Sequence, residues 1–300
     1  MATTQLNAVE QAKAKVGASR VQRQRILGAI GSHAVLVFAT FIALFPCFWI
    51  VSASFKPKSE IDSSEISLFP KAPTLSNYSY TLFDNQNAIF WKWLLNSLIV
   101  AGLTAVLGVF LSATAAYAFS RFNFVGKKVG LMSFLVVQMF PLALLLLPIF
   151  NILNGLKLIN TIPGLVLAYS TTAIPFCVWM MKGFFDTIPY ELEEAAQIDG
   201  LGKLGTFWRI ALPLSLPGIS VVTFFSFMTA WNEFLLALVL MTGNENYTVS
   251  VGLRTFVDAY RANWGAYSAG ATLVTIPVAL LFLWAQRYLV SGLTSGGVKG

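Results

Sequence analysis

Residues 191–214 read ELEEAAQIDGLGKLGTFWRIALPL. Four acids, Glu191, Glu193, Glu194 and Asp199, fall within the first nine positions. They sit in a chain that is 56% hydrophobic, 11% charged and +7 in net charge. A soluble domain carries about 25% charged residues, so this shortfall points to lipid, as does a mean hydropathy of +0.70. Two questions follow: why so apolar a chain gathers its acids in one short segment, and on which side of a membrane that segment lies.

Six runs are free, or nearly free, of Asp, Glu, Lys and Arg: 26–55, 93–120, 129–156, 158–181, 210–232 and 262–286. A bilayer core of about 30 Å needs about 20 helical residues, and all six are long enough. Lipid cannot satisfy a bare backbone, so helix is the expected form. No run shows the charged face of an amphipathic surface helix. The expected fold is an all-α membrane protein with six transmembrane helices at about 27–54, 94–119, 129–153, 161–181, 212–241 and 267–290. These form a domain over 26–290, flanked by an N-terminal segment 1–25 and a tail 291–300. The first run follows a charged leader and exceeds the usual 7–15 apolar residues of a signal peptide. It reads as an uncleaved span.

Basic residues set orientation. With the N-terminus in the cytoplasm, the inner side holds Lys13, Lys15, Arg20, Arg23, Arg25, Arg121, Lys127, Lys128, Lys182, Lys203, Arg209, Arg287 and Lys299, 13 of the 20. The outer side holds Lys56, Lys58, Lys71, Lys92, Lys157, Arg254 and Arg261. Both termini are then cytoplasmic, and membrane topology accounts for the basic balance without nucleic acid. Trp91 and Trp93 suit an outer headgroup belt. Residues 242–266 form an outer loop that either meets a partner or simply connects two spans. Cys47 and Cys177 lie in apolar runs and read as packing residues. A single histidine, His33, makes a histidine metal site implausible. No phosphate-cradling Gly-x-x-x-x-Gly-Lys-Ser/Thr occurs.

This orientation puts the loop 182–211 in the cytoplasm. Thr187 can cap a helix whose first turn holds Pro189, with acids at its positive end. Gly200 suits its stop. Leu192, Ala195, Ala196 and Asp199 share one face at i, i+3, i+4 and i+7, and two alanines there permit close approach. Pro213 opens the fifth span. The segment reads either as a docking helix for a soluble partner or as a solvated connector.

The spacing favours docking. Glu194-Ala195-Ala196, Gly200 and Ile210-x-Leu212-Pro213 closely resemble the signature of ABC importer permeases that begins Glu-Ala-Ala. The resemblance implies the type I importer permease fold. It also implies that this segment is the coupling helix, docked in a cleft of a separate ATP-binding subunit. In that reading Glu194 meets an Arg or Lys of the ATPase, and Ala195, Ala196, Asp199, Gly200, Ile210, Leu212 and Pro213 complete the contact. Trp231-Asn232-Glu233-Phe234 is similar to the carbohydrate-uptake branch. The ending, with Ser295, Gly296, Gly297, Val298 and Lys299, resembles the MalG-type subunit of maltose importers, whose tail enters the ATPase dimer interface. The loop with Asn244, Glu245, Asn246 and Tyr247 resembles that subunit's loop toward the sugar-binding protein.

The resemblance implies a transport subunit rather than an enzyme, in a bacterial inner membrane. It holds no cofactor itself, since ATP and Mg²⁺ belong to the partner. The implied partners are a second permease subunit, two ATPase subunits and an extracytoplasmic sugar-binding protein. Maltose or maltodextrin is the expected substrate, with trehalose and other oligosaccharides open. Trp231, Asn232 and Glu233 are candidates for the pathway or a subunit contact. For Glu233 the alternative is a carboxylate hydrogen-bonded near the outer interface. An importer of another small solute, an ion-coupled secondary transporter and a membrane enzyme are the rivals. Glu233 is nearly alone as an intramembrane ionisable group, which fits ion coupling poorly.

Overall fold

A computed structural model describes residues 2–85, 88–258 and 261–296, with side chains described over 28–85, 88–257 and 262–286. Helix α1 runs Ala2–Ser54, and its apolar part begins at Gly28. An irregular segment with short helical turns leads to α2, Ile89–Arg121. Then follow α3, Lys127–Met139, α4, Leu142–Gly155, and α5, Ile162–Asp186. Helix α6 spans Tyr190–Ile198, and α7 covers Lys203–Leu214 with a π-turn at Phe207–Ala211. Helix α8 is Leu216–Asn232, α9 Leu235–Leu240, α10 Val249–Arg254 and α11 Trp264–Gly296. Among the described residues the only strands form a two-residue antiparallel ladder, Val257 against Ala262 and Asp258 against Arg261. Among the described residues four helices are long and apolar enough to cross a membrane, or up to six spans if each bent pair counts as one.

Helices α2, α5 and α8 make the central bundle; α11 packs on α8, α1 on α11 and α3 on α5. Small residues set the spacing where burial alone does not drive helices together in lipid. A Cβ on Gly108 of α2 would lie 2.6 Å from Ser226 Oγ of α8, so those backbones approach as only glycine allows. Aromatic side chains fill both ends. Tyr117, Phe185 and Phe207 cluster at one end, with ring centroids 4.8 Å apart for Tyr117–Phe207 and 5.5 Å for Tyr117–Phe185. At the other end Phe90, Trp93, Leu253 and Phe256 pack together.

Two spans that read as continuous are broken. The third, expected over 129–153, bends by 107° between α3 and α4. Pro141 causes it: a proline has no N–H to give the preceding turn and pushes the residue before it out of the helical region, and Phe140 has ψ 129. The fifth, expected over 212–241, is interrupted twice. It bends by 79° between α7 and α8 at Ser215, so Pro213 lies in the last turn of α7 and does not open the span. It breaks again at Glu233–Phe234. There Glu233 has ψ 134, and its carboxylate accepts the N–H groups of Leu236, at 2.9 Å, and Ala237, at 3.2 Å. The side chain replaces the helical carbonyls that the break removes. A proline inside an apolar run, as at Pro141, can kink it, whereas the self-supplied cap at Glu233 escapes a count of apolar residues.

The aromatic belt also needs correction. Trp91 is 50% exposed, as a belt residue would be, but Trp93 is fully buried and donates its indole N–H to Asn244 O at 2.7 Å. Alternation along the helix turns the second tryptophan inward. Cys47 and Cys177 are both free, and the buried Cys177 packs beside Ser226.

Candidate functional site

The site is built on α6. Its start is not capped by Thr187. That residue ends α5 and donates its hydroxyl to Phe184 O at 2.7 Å, while Pro189 stands at the N-cap of α6 without a side-chain cap bond. Pro189 pre-sets the turn, and Glu191 and Glu193 lie in the first turn beside the positive end of the helix. The C-terminus is a Schellman turn. Gly200 sits at φ +92, its N–H reaches Gln197 O at 3.1 Å, and Leu201 N–H reaches Ala196 O at 3.0 Å. Only glycine takes this left-handed position without strain.

The acids of α6 divide by face, and the division differs from the expected grouping. Glu193 and Ala196 are buried, whereas Leu192, Ala195 and Asp199, predicted to share Ala196's face, are exposed. Beneath the helix lies a buried ionic base. Arg121, the last residue of α2, meets Glu193 at 2.6 Å (Nε to Oε1), and the two side chains are 4% and 5% exposed. Tyr117 donates its hydroxyl to the other Glu193 oxygen at 2.8 Å. Arg121 also donates to Ile188 O at 2.9 Å and to Ser120 Oγ at 3.2 Å, and its guanidinium lies 4.3 Å from the Tyr190 ring centroid. Ser120 donates to Asp186 at 2.6 Å, and Asp186 also receives Lys182.

Each oxygen of this carboxylate and each nitrogen of the guanidinium thus has a partner. A buried ion pair is stable only under that condition. The effect is to join α6 to the ends of α2 and α5, so that α6 cannot tilt without carrying both helices with it. Arg121 and Glu193 escaped the sequence reading, which used Arg121 as a topology marker and Glu193 as one acid among four. They are 72 residues apart, and no local pattern pairs them. The hint available was an arginine at a helix end facing a loop otherwise rich in acids.

The outer surface of α6 is left open. Glu191, Glu194, Ala195, Asp199 and Gly200 are exposed, and Ile198 is 86% exposed. Glu194 makes no hydrogen bond or ion pair with any described residue. Leu192, Leu204 and Trp208 add exposed apolar surface nearby. Ile210 and Leu212 are partly buried, and Pro213 is exposed. The outer face thus combines small residues, an apolar centre and carboxylates above a buried ionic base.

The other predicted residues lie elsewhere. Trp231 is buried and stacks on Phe227 at 5.3 Å, Asn232 is exposed and donates to Met228 O, and Glu233 is the cap already described. Asn244 and Asn246 form a short 3-10 turn with Glu245. That turn is pinned: Asn96 donates to Glu245 O at 2.9 Å and Tyr247 O at 3.0 Å, and Asn160 Oδ1 accepts from Thr242 N and Asn246 Nδ2. The Glu245 carboxylate remains exposed. Ser295 and Gly296 end α11 with their side chains outside the described residues, and Gly297, Val298 and Lys299 lie outside them altogether.

The architecture is a bundle of bent membrane helices carrying one braced helix at its end. The chain belongs to the family of binding-protein-dependent transport system inner membrane components, whose model it matches over residues 106–295. It is 36% identical to the galactooligosaccharides transport system permease protein GanQ of Bacillus subtilis over 278 residues, 92% of this chain and 98% of that one. To the maltodextrin transport system permease protein MalD of Streptococcus pneumoniae it is 35% identical, over 90% and 95% of the two chains. Among solved structures it resembles a chain of a bacterial ABC transporter involved in import of the acidic polysaccharide alginate. There the TM-score is 0.76 at 22% identity, covering 88% of this chain and 97% of that one. The chain is therefore a multi-pass inner-membrane permease subunit with the ABC importer permease fold, and not an enzyme.

Proposed function

We propose that the chain is the membrane subunit of an ATP-driven importer of neutral oligosaccharides, and that α6 is its coupling helix. In this reading six crossings leave both termini in the cytoplasm, and α6 seats in a cleft of an ATPase subunit. ATP and Mg²⁺ bind there, not on this chain. Two ATPase subunits close on ATP, and their motion passes through α6 to α2 and α5. A second permease subunit completes the pathway, and an extracytoplasmic binding protein delivers the sugar. The exposed 242–247 turn, with Glu245 outward, is the surface offered to that binding protein, and the tail residues Ser295 to Lys299 reach toward the ATPase dimer.

The observation that carries the reading is the pairing of an open, unpartnered outer face on α6 with the buried Arg121–Glu193 base beneath it. A solvated connector needs neither. Sugar as cargo rests on the named substrates of GanQ and MalD and on the Trp231–Phe234 stretch. Maltodextrin is the first candidate among these sugars. The test is reconstitution of the complex with its ATPase, second permease and binding protein, followed by uptake of labelled maltodextrin, galactooligosaccharide and an unrelated amino acid. ATP-dependent uptake of a sugar and not of the amino acid supports the reading. Uptake without the ATPase subunit rejects it.

A further inference from the structure

Glu233 caps α9, but that role does not explain its surroundings. A cavity of about 430 Å³ lies against it, walled by α3, α4, α5 and α8. Polar side chains from three helices converge on this space: Gln138 from α3, Thr171 and Thr172 from α5, and Thr229 from α8. The 107° bend at Pro141 carries Gln138 into the wall, and the break at Glu233 carries in the carboxylate. Polar and ionisable residues within membrane helices are expensive. They face the bundle interior or a water-filled cavity, where they mark pathways.

The hydrogen-bonding capacity of the wall is specific. Each threonine donates its hydroxyl to a carbonyl of its own helix, Thr171 to Ala168 at 2.7 Å, Thr172 to Tyr169 at 2.8 Å and Thr229 to Phe225 at 2.9 Å. What they offer to the cavity is acceptor lone pairs. Glu233 accepts one backbone N–H on each oxygen, which leaves further acceptor capacity. Gln138 makes no hydrogen bond with any described residue, so its amide offers two donors and an acceptor. Close to Glu233, the Tyr169 hydroxyl is buried without a hydrogen bond of normal geometry.

The wall sets these acceptors beside apolar side chains, Val137, Phe140, Leu142, Leu145 and Ile149, which suits a ligand that brings both O–H donors and C–H faces. An anion would meet the Glu233 charge. An apolar ligand would leave the Gln138 amide without a partner. A bare monovalent cation is far smaller than the cavity, whereas ligand sites for small organic molecules begin at about 300 Å³. The geometry points to a subsite for the hydroxyl groups of an uncharged sugar, formed within this chain by Gln138, Thr171, Thr172, Thr229 and Glu233. The inference rests on the sugar-importer reading and adds that this subunit touches the cargo.

The test uses the full complex in proteoliposomes, with uptake and ATP hydrolysis measured on the same preparation. Gln138→Leu and Thr172→Val are the informative variants, because neither side chain holds the fold through a long-range bond. Sugar uptake per complex is expected to fall about fivefold or more, while ATP hydrolysis stimulated by the loaded binding protein persists. Uptake unchanged in both variants overturns the subsite, and so does a proportionate fall of uptake and hydrolysis, which assigns the residues to the fold or to coupling. A wild-type complex that moves no neutral sugar rejects the importer reading itself, a result distinct from either.

Discussion

At the residue scale the decisive contact is Arg121 with Glu193. Each charge is desolvated, and each is stabilised by the other, with Tyr117 on Glu193 and with Ser120, Ile188 O and the Tyr190 ring on Arg121. Removing one partner leaves a buried charge alone, which costs about 3–5 kcal/mol. Glu193→Ala and Arg121→Ala are expected to lower thermal stability of the detergent-purified chain by that amount, whereas the double variant Arg121→Met/Glu193→Leu should recover most of it. Equal losses in the single and double variants would mean that the pair is not coupled. A second residue-scale expectation concerns Glu60 in the segment between α1 and α2. The Ser67 hydroxyl, donated at 2.6 Å, holds the Glu60 carboxyl below its ordinary value, with the Lys71 backbone N–H assisting. A depressed carboxylate contributes stability above its unfolded pKa and loses it as pH falls through the lower folded one. Proteolysis at Lys71 should therefore stay slow through mildly acid pH and rise only below the usual carboxylate range. The same acceleration in wild type and Glu60→Gln would show that Glu60 is not the cause.

At the element scale, α6 combines a fixed start, a fixed stop and an open outer face. Gly200→Val places a β-branched residue at φ +92, where a side chain costs about 1–2 kcal/mol. The expected result is a frayed α6, read as faster amide exchange at 196–201 with the bundle unchanged. Glu194→Lys touches no described residue. It is expected to leave stability alone while lowering ATP-driven uptake about tenfold, in keeping with loss of a charge-assisted contact. The sequence made the existence of α6 legible through Pro189, the run of acids and Gly200, since each acts within one turn. It grouped Ala196 with Leu192, Ala195 and Asp199 on the docking face, whereas Ala196 is buried and the other three are exposed, because which side of a nine-residue helix turns inward depends on what waits beneath it. Here that is Arg121, brought from another helix. The bend at Pro141 was equally open to a local reading. The break at Glu233 was less so, since a carboxylate capping its own following turn looks in sequence like any lone acid.

At the scale of the whole molecule, apolar runs and charge asymmetry made a helical membrane bundle legible before any contact was known. Composition carries that information because lipid penalises every exposed polar group alike. The interior fit was not legible: close approach at Gly108, the inward turn of Trp93 and the polar cavity at the two breaks are set by neighbours far apart in sequence. The bundle explains how a small motion travels. Helices α2 and α5 each pass from the ionic base beneath α6 to the opposite end. There α2 supplies Trp93 and Asn96 to the pinned 242–247 turn, and Asn160 reaches the same turn just before α5 begins. Helix α6 and the 242–247 turn are thus tied to the same two helices. The most direct measurement is crosslinking in the reconstituted complex, with a cysteine introduced at Ile198 on a background without Cys47 and Cys177, and a short bifunctional reagent. The account predicts a crosslink from this position to the ATPase subunit whose yield changes when ATP is added. A residue 198 that never crosslinks to the ATPase, and that reacts instead with a membrane-impermeant thiol reagent added from outside, would contradict it.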